Sequence, residues 1–288
     1  MFKNLVLISF ISLPLASENL LDIYNEALDN DPQYKSSEYS LLAGKEFVVQ
    51  GRAGLLPNVT LSGSTNWNEY YQFDELQSAY NNNSVTARLT QPLFRLDSWF
   101  NFKRSKKLTD ASEADFAYAQ QNLIIRTVEK YFGVLRAIDN LNAAVSEEKA
   151  IKKQLDQIQQ RFEVGLSAIT EVQEAQLAFD LSVAAKIRFE GALFNAREEL
   201  NSLIGREIFS IDSLKADIIP ENPNPTTKQE WVDIALKSNY RLQASVLRRD
   251  ASQDSARSSA SEHLPKINIV GTESENNTNP VSYTHLTL

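Results

Sequence analysis

Residues 97–164 contain no proline and a single glycine, Gly133. Apolar side chains fall at Ile124, Val128, Tyr131, Leu135, Ile138, Leu141, Val145, Ile151, Leu155, Ile158 and Phe162. The steps are three or four, with one of six across Glu147-Glu148. Such spacing predicts one long helix of the coiled-coil kind. At about 1.5 Å per residue, roughly 65 residues extend about 100 Å, more than a globular core requires. A second helix is expected over about 169–203, with a stripe of Val172, Phe179, Val183, Ile187, Phe194 and Leu200. Ala175, Ala178, Ala184, Ala185, Ala192 and Ala196 permit close helix packing. A plain coiled-coil spacer accounts for this periodicity as well.

Between the two helices stands Arg161-Phe162-Glu163-Val164-Gly165-Leu166-Ser167-Ala168-Ile169-Thr170-Glu171. Gly165 suits a left-handed helix end. Ser167 or Thr170 is expected to cap the next helix, and Glu171 adds an acid to its first turn. The segment reads as a tight αα-hairpin, for which a turn glycine is sufficient explanation of Gly165, and helix-dipole pairing of Glu171.

Upstream, the period changes. Residues 20–54 read as helix, broken at Asn30-Asp31-Pro32, with Pro32 opening a second segment and Leu55-Leu56-Pro57 ending it. From Val59 the pattern alternates: Val59, Leu61, Gly63, Thr65 and Trp67 on one face, Thr60, Ser62, Ser64, Asn66 and Asn68 on the other. Tyr70, Tyr71 and Phe73 follow, and 78–83 reads as a polar loop. Alternation returns with Val85, Ala87, Leu89 and Leu93 against Thr86, Arg88 and Thr90. About ten alternating residues suit a tilted membrane strand, and Arg88 suits a watery lumen. A hairpin of a soluble sandwich has the same pattern.

Residues 1–17, MFKNLVLISFISLPLAS, read as an export signal: Lys3, an apolar core from Leu5 to Leu13, then Pro14 and small residues. No apolar run is long enough for a membrane helix, which leaves a β-barrel as the spanning option. Cysteine is absent, and the only histidines are His263 and His285. Disulfides, thiolate zinc sites, thiol nucleophiles and a Ser-His-Asp triad therefore have little to draw on. The net charge of −8 argues against a duplex-DNA binder. No catalytic, cofactor or metal residues are nominated, and no enzyme is expected. Lys103, Arg104, Lys106 and Lys107 form a basic cluster, read as a solvated face or an anionic-lipid contact. His263 reads as a helix-end cap.

The opening pattern recurs. Asp22-Ile23-Tyr24-Asn25-Glu26-Ala27-Leu28 aligns with Glu230-Trp231-Val232-Asp233-Ile234-Ala235-Leu236. Leu56-Pro57-Asn58-Val59 aligns with Leu264-Pro265-Lys266-Ile267 at the same offset, 265 − 57 = 208. A tandem duplication of a helix, strand, strand, helical-hairpin unit is expected. The divisions are 1–17, signal; 18–205, first repeat, with a β-hairpin over 58–94 and a helical hairpin over 97–204 whose tip lies near 164–171; 206–227, a proline-bearing linker; and 228–279, the start of a second repeat. Residues 272–279 read as strand end and loop. Residues 280–288 fit no element of this plan and read as a non-native tail of a truncated fragment.

Arg161-Phe162-Glu163-Val164-Gly165-Leu166, followed by Ala168-Ile169-Thr170-Glu171-Val172-Gln173-Glu174-Ala175, resembles the periplasmic tip of the TolC-like outer-membrane efflux protein family. Leu56-Pro57 and Thr90-Gln91-Pro92-Leu93-Phe94 are similar to the family as well. The resemblance implies a mainly α fold with membrane β-strands: an outer-membrane β-barrel with a long coiled-coil tunnel reaching into the periplasm of a Gram-negative bacterium. It implies a homotrimer, each full protomer giving four strands to a 12-stranded barrel. It also implies passive export in efflux or type I secretion, with a periplasmic adaptor protein and, through it, an inner-membrane pump as partners. By position, Val164, Gly165, Leu166, Thr170 and Glu171 are the expected adaptor-docking and gate residues, Glu171 forming an acidic ring under threefold symmetry. The competing class is a periplasmic adaptor, which carries a lipoyl-like β domain beside its hairpin.

Overall fold

The computed structural model describes residues 18–73, 75–214 and 222–281. The export signal expected over 1–17 lies outside the described residues. The chain is mostly helical with one small open sheet. Its elements are α1 (Leu20–Asn30), α2 (Pro32–Ala53), β1 (Asn58–Gln72), β2 (Glu75–Phe94), α3 (Leu96–Glu163), α4 (Ile169–Ile204), α5 (Lys228–Ser238), α6 (Tyr240–Ser261) and β3 (Ile267–Val281). Among the described residues no helix is long and apolar enough to cross a membrane.

Local chemistry sets the helix ends. Asn19 accepts from the Leu21 and Asp22 N–H groups, and Asp22 accepts in return from Asn19, a capping box opening α1. Asp31 accepts from the Tyr34 N–H (2.9 Å) at the head of α2. Asn239 accepts from the Leu242 N–H (3.0 Å) at the head of α6. Adding 208 to the bounds of α1 and α2 gives the bounds of α5 and α6 residue for residue, and carries Asp31 onto Asn239. His263 is not a cap: Glu262 occupies that position and His263 stands one residue beyond.

The chain divides into two compact units. The first takes the described residues up to Tyr39 with Phe116–Ile234. Its core joins Ile23 and Ala27 of α1, Leu123, Tyr131, Val134 and Leu135 of α3, Leu200, Leu203 and Ile204 of α4, and Ile208 beyond it. Residues 208–212, within the stretch read as linker, belong to this packing: Glu18 and Ile211 form a bridge, and the Tyr131 hydroxyl donates to the Asp212 carbonyl (2.8 Å). Arg126 grips the buried Asp31 carboxylate, and Arg206 reaches both Glu18 and Glu26 (2.8 Å each).

The stripes read from sequence are redistributed. Ile124, Val145 and Phe162 of α3 are exposed, while Leu123, Thr127, Val134, Ala137 and Ala144 are buried. On α4, Ile187 and Phe194 are 61% and 64% exposed. The seam facing α3 passes instead through Ala175, Phe179, Ser182, Lys186, Phe189, Leu193, Ala196 and Leu200, at alternating steps of four and three. Helix α4 therefore bears two apolar faces, of which one packs within the chain.

The second unit takes Ser40–Asp115 and the described residues from Ala235 onward. Here α2 meets α3 through small residues: a Cβ on Gly44 would lie 2.3 Å from Ser112 Oγ, and one on Gly51 2.5 Å from Ser105 Oγ. Helix α6 is tied to α3 by Lys107–Asp254 (2.7 Å), by Arg248–Asp115, and by the Ser258 hydroxyl on the Asp97 carbonyl (2.8 Å). The sheet is antiparallel, in the order β1-β2-β3.

Two polar segments read as loops are strand. Residues 78–83 lie within β2, because the chain reverses at Phe73 (φ 53), with Gln72 opposite Glu75. Cross-strand partners satisfy the polar side chains: Ser64 and Ser84 hydroxyls meet at 2.9 Å, and Thr65 donates to Asn83 (2.6 Å). Residues 272–281 continue β3 against β2, including Pro280 and Val281 of the supposed tail; residues 282–288 lie outside the described residues. Arg88 sits in a polar row between Thr60 and Thr272. The other face carries Val59, Leu61, Leu89, Ile267 and Ile269, then turns acidic at Glu273 and Glu275.

Candidate functional site at the hairpin tip

Helix α3 ends in a Schellman arrangement. The Leu166 N–H donates to the Arg161 carbonyl (2.7 Å) and the Gly165 N–H to the Phe162 carbonyl (2.9 Å), with Gly165 at φ +76. Nothing lies within 4 Å of a Cβ placed on Gly165, so its backbone angle, not crowding, calls for glycine.

The predicted side-chain cap of α4 is not formed. Ala168 holds the N-cap position in extended conformation, which leaves Ser167 before the cap and Thr170 within the first turn. The Ser167 hydroxyl donates instead to the Glu171 carboxylate. Glu171 thereby sits at the positive end of α4, where an acid is favoured.

Val164, Gly165, Leu166, Thr170 and Glu171 come together on this turn, and all are exposed. Val164 and Leu166 are each 70% exposed, and Ile169 adds a third exposed apolar group that the sequence reading passed over. Val164, Leu166 and Ile169 thus stand as adjacent exposed apolar side chains beside the Glu171 acid.

Behind the tip, Lys186 of α4 meets Glu148 of α3 at 3.1 Å, and the carboxylate raises the lysine above its ordinary value. Both occupy seam positions. The sequence signal was the six-residue step across Glu147-Glu148, where the heptad calls for an apolar residue.

The basic cluster separates by role. Lys107 is structural, paired with Asp254, whose carboxyl Lys107 and Arg257 hold below the usual range. Arg104 donates to Asn101 (3.0 Å). Lys103 and Lys106 remain exposed. Among the described residues no group of three His, Cys, Asp or Glu is arranged to hold a metal.

The sequence pattern of the outer membrane efflux protein family matches residues 23–206. The chain belongs to that family. It is 33% identical over 261 residues to outer membrane protein TolC of Vibrio cholerae, covering 91% of this chain and 59% of that protein. It is 28% identical over 260 residues to the alkaline protease secretion protein AprF of Pseudomonas aeruginosa, covering 87% of this chain and 54% of that one. The chain thus spans little more than half the length of these relatives. Its fold is similar to that of the Campylobacter jejuni CmeC outer membrane channel, with TM-score 0.74 at 18% identity, over 94% of this chain and 62% of that chain.

Proposed function

We propose that this chain is the outer-membrane channel component of a tripartite efflux or type I secretion system, a passive conduit from periplasm to exterior. The observation that carries the reading is its alignment with relatives named for TolC and for alkaline protease secretion over 91% and 87% of its length.

The sheet supports a barrel. Among the described residues β1 and β3 each leave one edge unpaired, and open edges are not tolerated in lipid. In our reading each full protomer gives four strands, and strands from other copies close a homotrimeric barrel of 12. The outward apolar face of α4, with Ile187 and Phe194, supports burial against neighbouring helices in a periplasmic tunnel. We read 1–17 as a cleaved signal, 18–205 as the first repeat, 206–227 as the connection and 228–279 as the start of the second repeat. At the tip, Val164, Gly165, Leu166 and Thr170 dock a periplasmic adaptor, which links the channel to an inner-membrane pump, and Glu171 contributes an acidic ring at the entrance. The conduit catalyses nothing and uses no cofactor.

Deleting the gene in its host and following intracellular accumulation of an efflux dye, together with protease secretion, tests the function. One of the two is expected to fail and to be restored by the wild-type gene. Unchanged dye and unchanged secretion contradict the reading.

A further inference from the structure

We propose that the first turns of α3 bind anionic phospholipid headgroups at the leaflet from which the helices emerge. The proposal rests on the outer-membrane reading, since it places the strand ends at a bilayer surface.

All three strands meet helices at one end of the sheet. Asn58 at the start of β1 pairs with Thr90, and Phe94 at the end of β2 pairs with Ile267 at the start of β3. Helix α3 begins two residues after Phe94. Trp99, Phe102, Lys103 and Lys106 stand at i, i+3, i+4 and i+7, which puts them on one helix face. The Trp99 and Phe102 ring centroids are 6.0 Å apart. Lys103 Nζ lies 5.7 Å from the Trp99 ring, and Lys106 Nζ 5.1 Å from the Phe102 ring.

Four neighbouring cations are already engaged. Arg95 and Lys266 share Asp97 (2.7 and 3.3 Å), Lys107 holds Asp254, and Arg104 holds Asn101. Lys103 and Lys106 have no carboxylate partner among the described residues. Each ammonium is steadied by an aromatic face while its N–H donors stay free for phosphate. Aromatic rings favour the interfacial depth of a bilayer, and lysines beside them favour anionic headgroups. A soluble anion satisfies only the charged half of this surface, so a lipid headgroup is the occupant that uses both halves.

The test is partition of the full chain onto phosphatidylcholine vesicles with and without phosphatidylglycerol, at fixed ionic strength. Strand insertion is followed on separate samples by quenching of Trp67 fluorescence with brominated lipid in a W99F/W231F variant, and vesicle preference is measured only with Trp99 in place. Wild type is expected to prefer the anionic vesicles. The K103Q/K106Q variant is expected to lose roughly thirty-fold of that preference, the effect of two lysines at a membrane surface. K103R/K106R is expected to keep it, and the matched charge loss K35Q/K45Q to leave it unchanged. Trp67 quenched together with an unchanged preference in K103Q/K106Q overturns the lipid site and leaves the outer-membrane reading standing. Trp67 never quenched overturns that reading and the site with it. Release by inorganic phosphate, but not by chloride of equal ionic strength, overturns the lipid as occupant in favour of a free anion.

Discussion

Glu148 of α3 and Lys186 of α4 pair at 3.1 Å inside a seam that is otherwise mostly apolar. On α3 the seam runs Leu141, Ala144, Glu148, Ile151, Leu155; on α4 it runs Phe179, Ser182, Lys186, Phe189, Leu193. Sliding one helix by a heptad would leave both charges against apolar neighbours, so the pair fixes register. E148K and K186E should each lower the helical melting temperature, and the double swap should recover most of the loss. Purely additive losses would contradict a direct pair. Glu148 raises the Lys186 value, so the pair's contribution is complete below the ordinary lysine range near 10.5 and is lost as pH rises through the raised value.

Leu200 and Phe194 lie on the same helix yet differ in environment, 1% and 64% exposed. Leu200→Ala should cost about 2–5 kcal/mol in denaturant unfolding. Phe194→Ser should change unfolding of the isolated chain by less than about 0.5 kcal/mol. Its effect is expected in assembly, read as loss of the cross-linked trimer. Equal unfolding costs for the two would contradict the two-faced description of α4.

Gly44 touches Ser112 so closely that an added Cβ displaces the helix, not merely a side-chain tip: Ser112 Cβ itself lies 2.4 Å away. Gly44→Ala should destabilise by about 1–3 kcal/mol through overpacking. Adding Ser112→Gly should restore most of that, as thermal melts of the single and double variants would show.

Asp254 is 1% exposed and held by Lys107 and Arg257. Its carboxyl is held low chiefly by the adjacent Lys107 ammonium, and Asp97 is lowered likewise, first by Arg95. A depressed carboxyl stabilises the fold above the unfolded value and loses that contribution as pH falls through the folded one. Attachment of α6 to α3 should therefore weaken below about pH 4. Amide exchange in α6 should quicken there in the wild type. Asp254→Ala should show quick exchange already at pH 7.

Leu166 makes no buried contact that the fold depends on. Leu166→Asp should leave the unfolding free energy within about 0.5 kcal/mol and the amount in the membrane unchanged, while export falls. Unimpaired export in L166D, or an unfolded chain, would remove the tip from the docking account.

What could be read from the sequence was local. Pro32, Gly165 and the three-four spacing name their own conformations, and the 208-residue offset shows in two short segments. What could not be read depends on a partner. Ile187 and Phe194 obey the helical period, but the period does not say whether a face packs within the chain. Residues 78–83 look like a loop until Thr65 to Tyr70 stand across from them. The reversal at Phe73 carries no glycine or asparagine to announce it. Lys107 looks like one of four solvated cations until α6 brings Asp254 to it. At the tip, the sequence indicated the turn and its exposed residues, but not that Ser167 serves Glu171 in place of the helix end.

Separation of inner and outer membranes from the host on a sucrose gradient, with detection of this protein, tests the central claim most directly. Recovery with the outer membrane, resistant to a high-salt wash, is the predicted result. Recovery in the soluble periplasmic fraction would contradict an outer-membrane conduit.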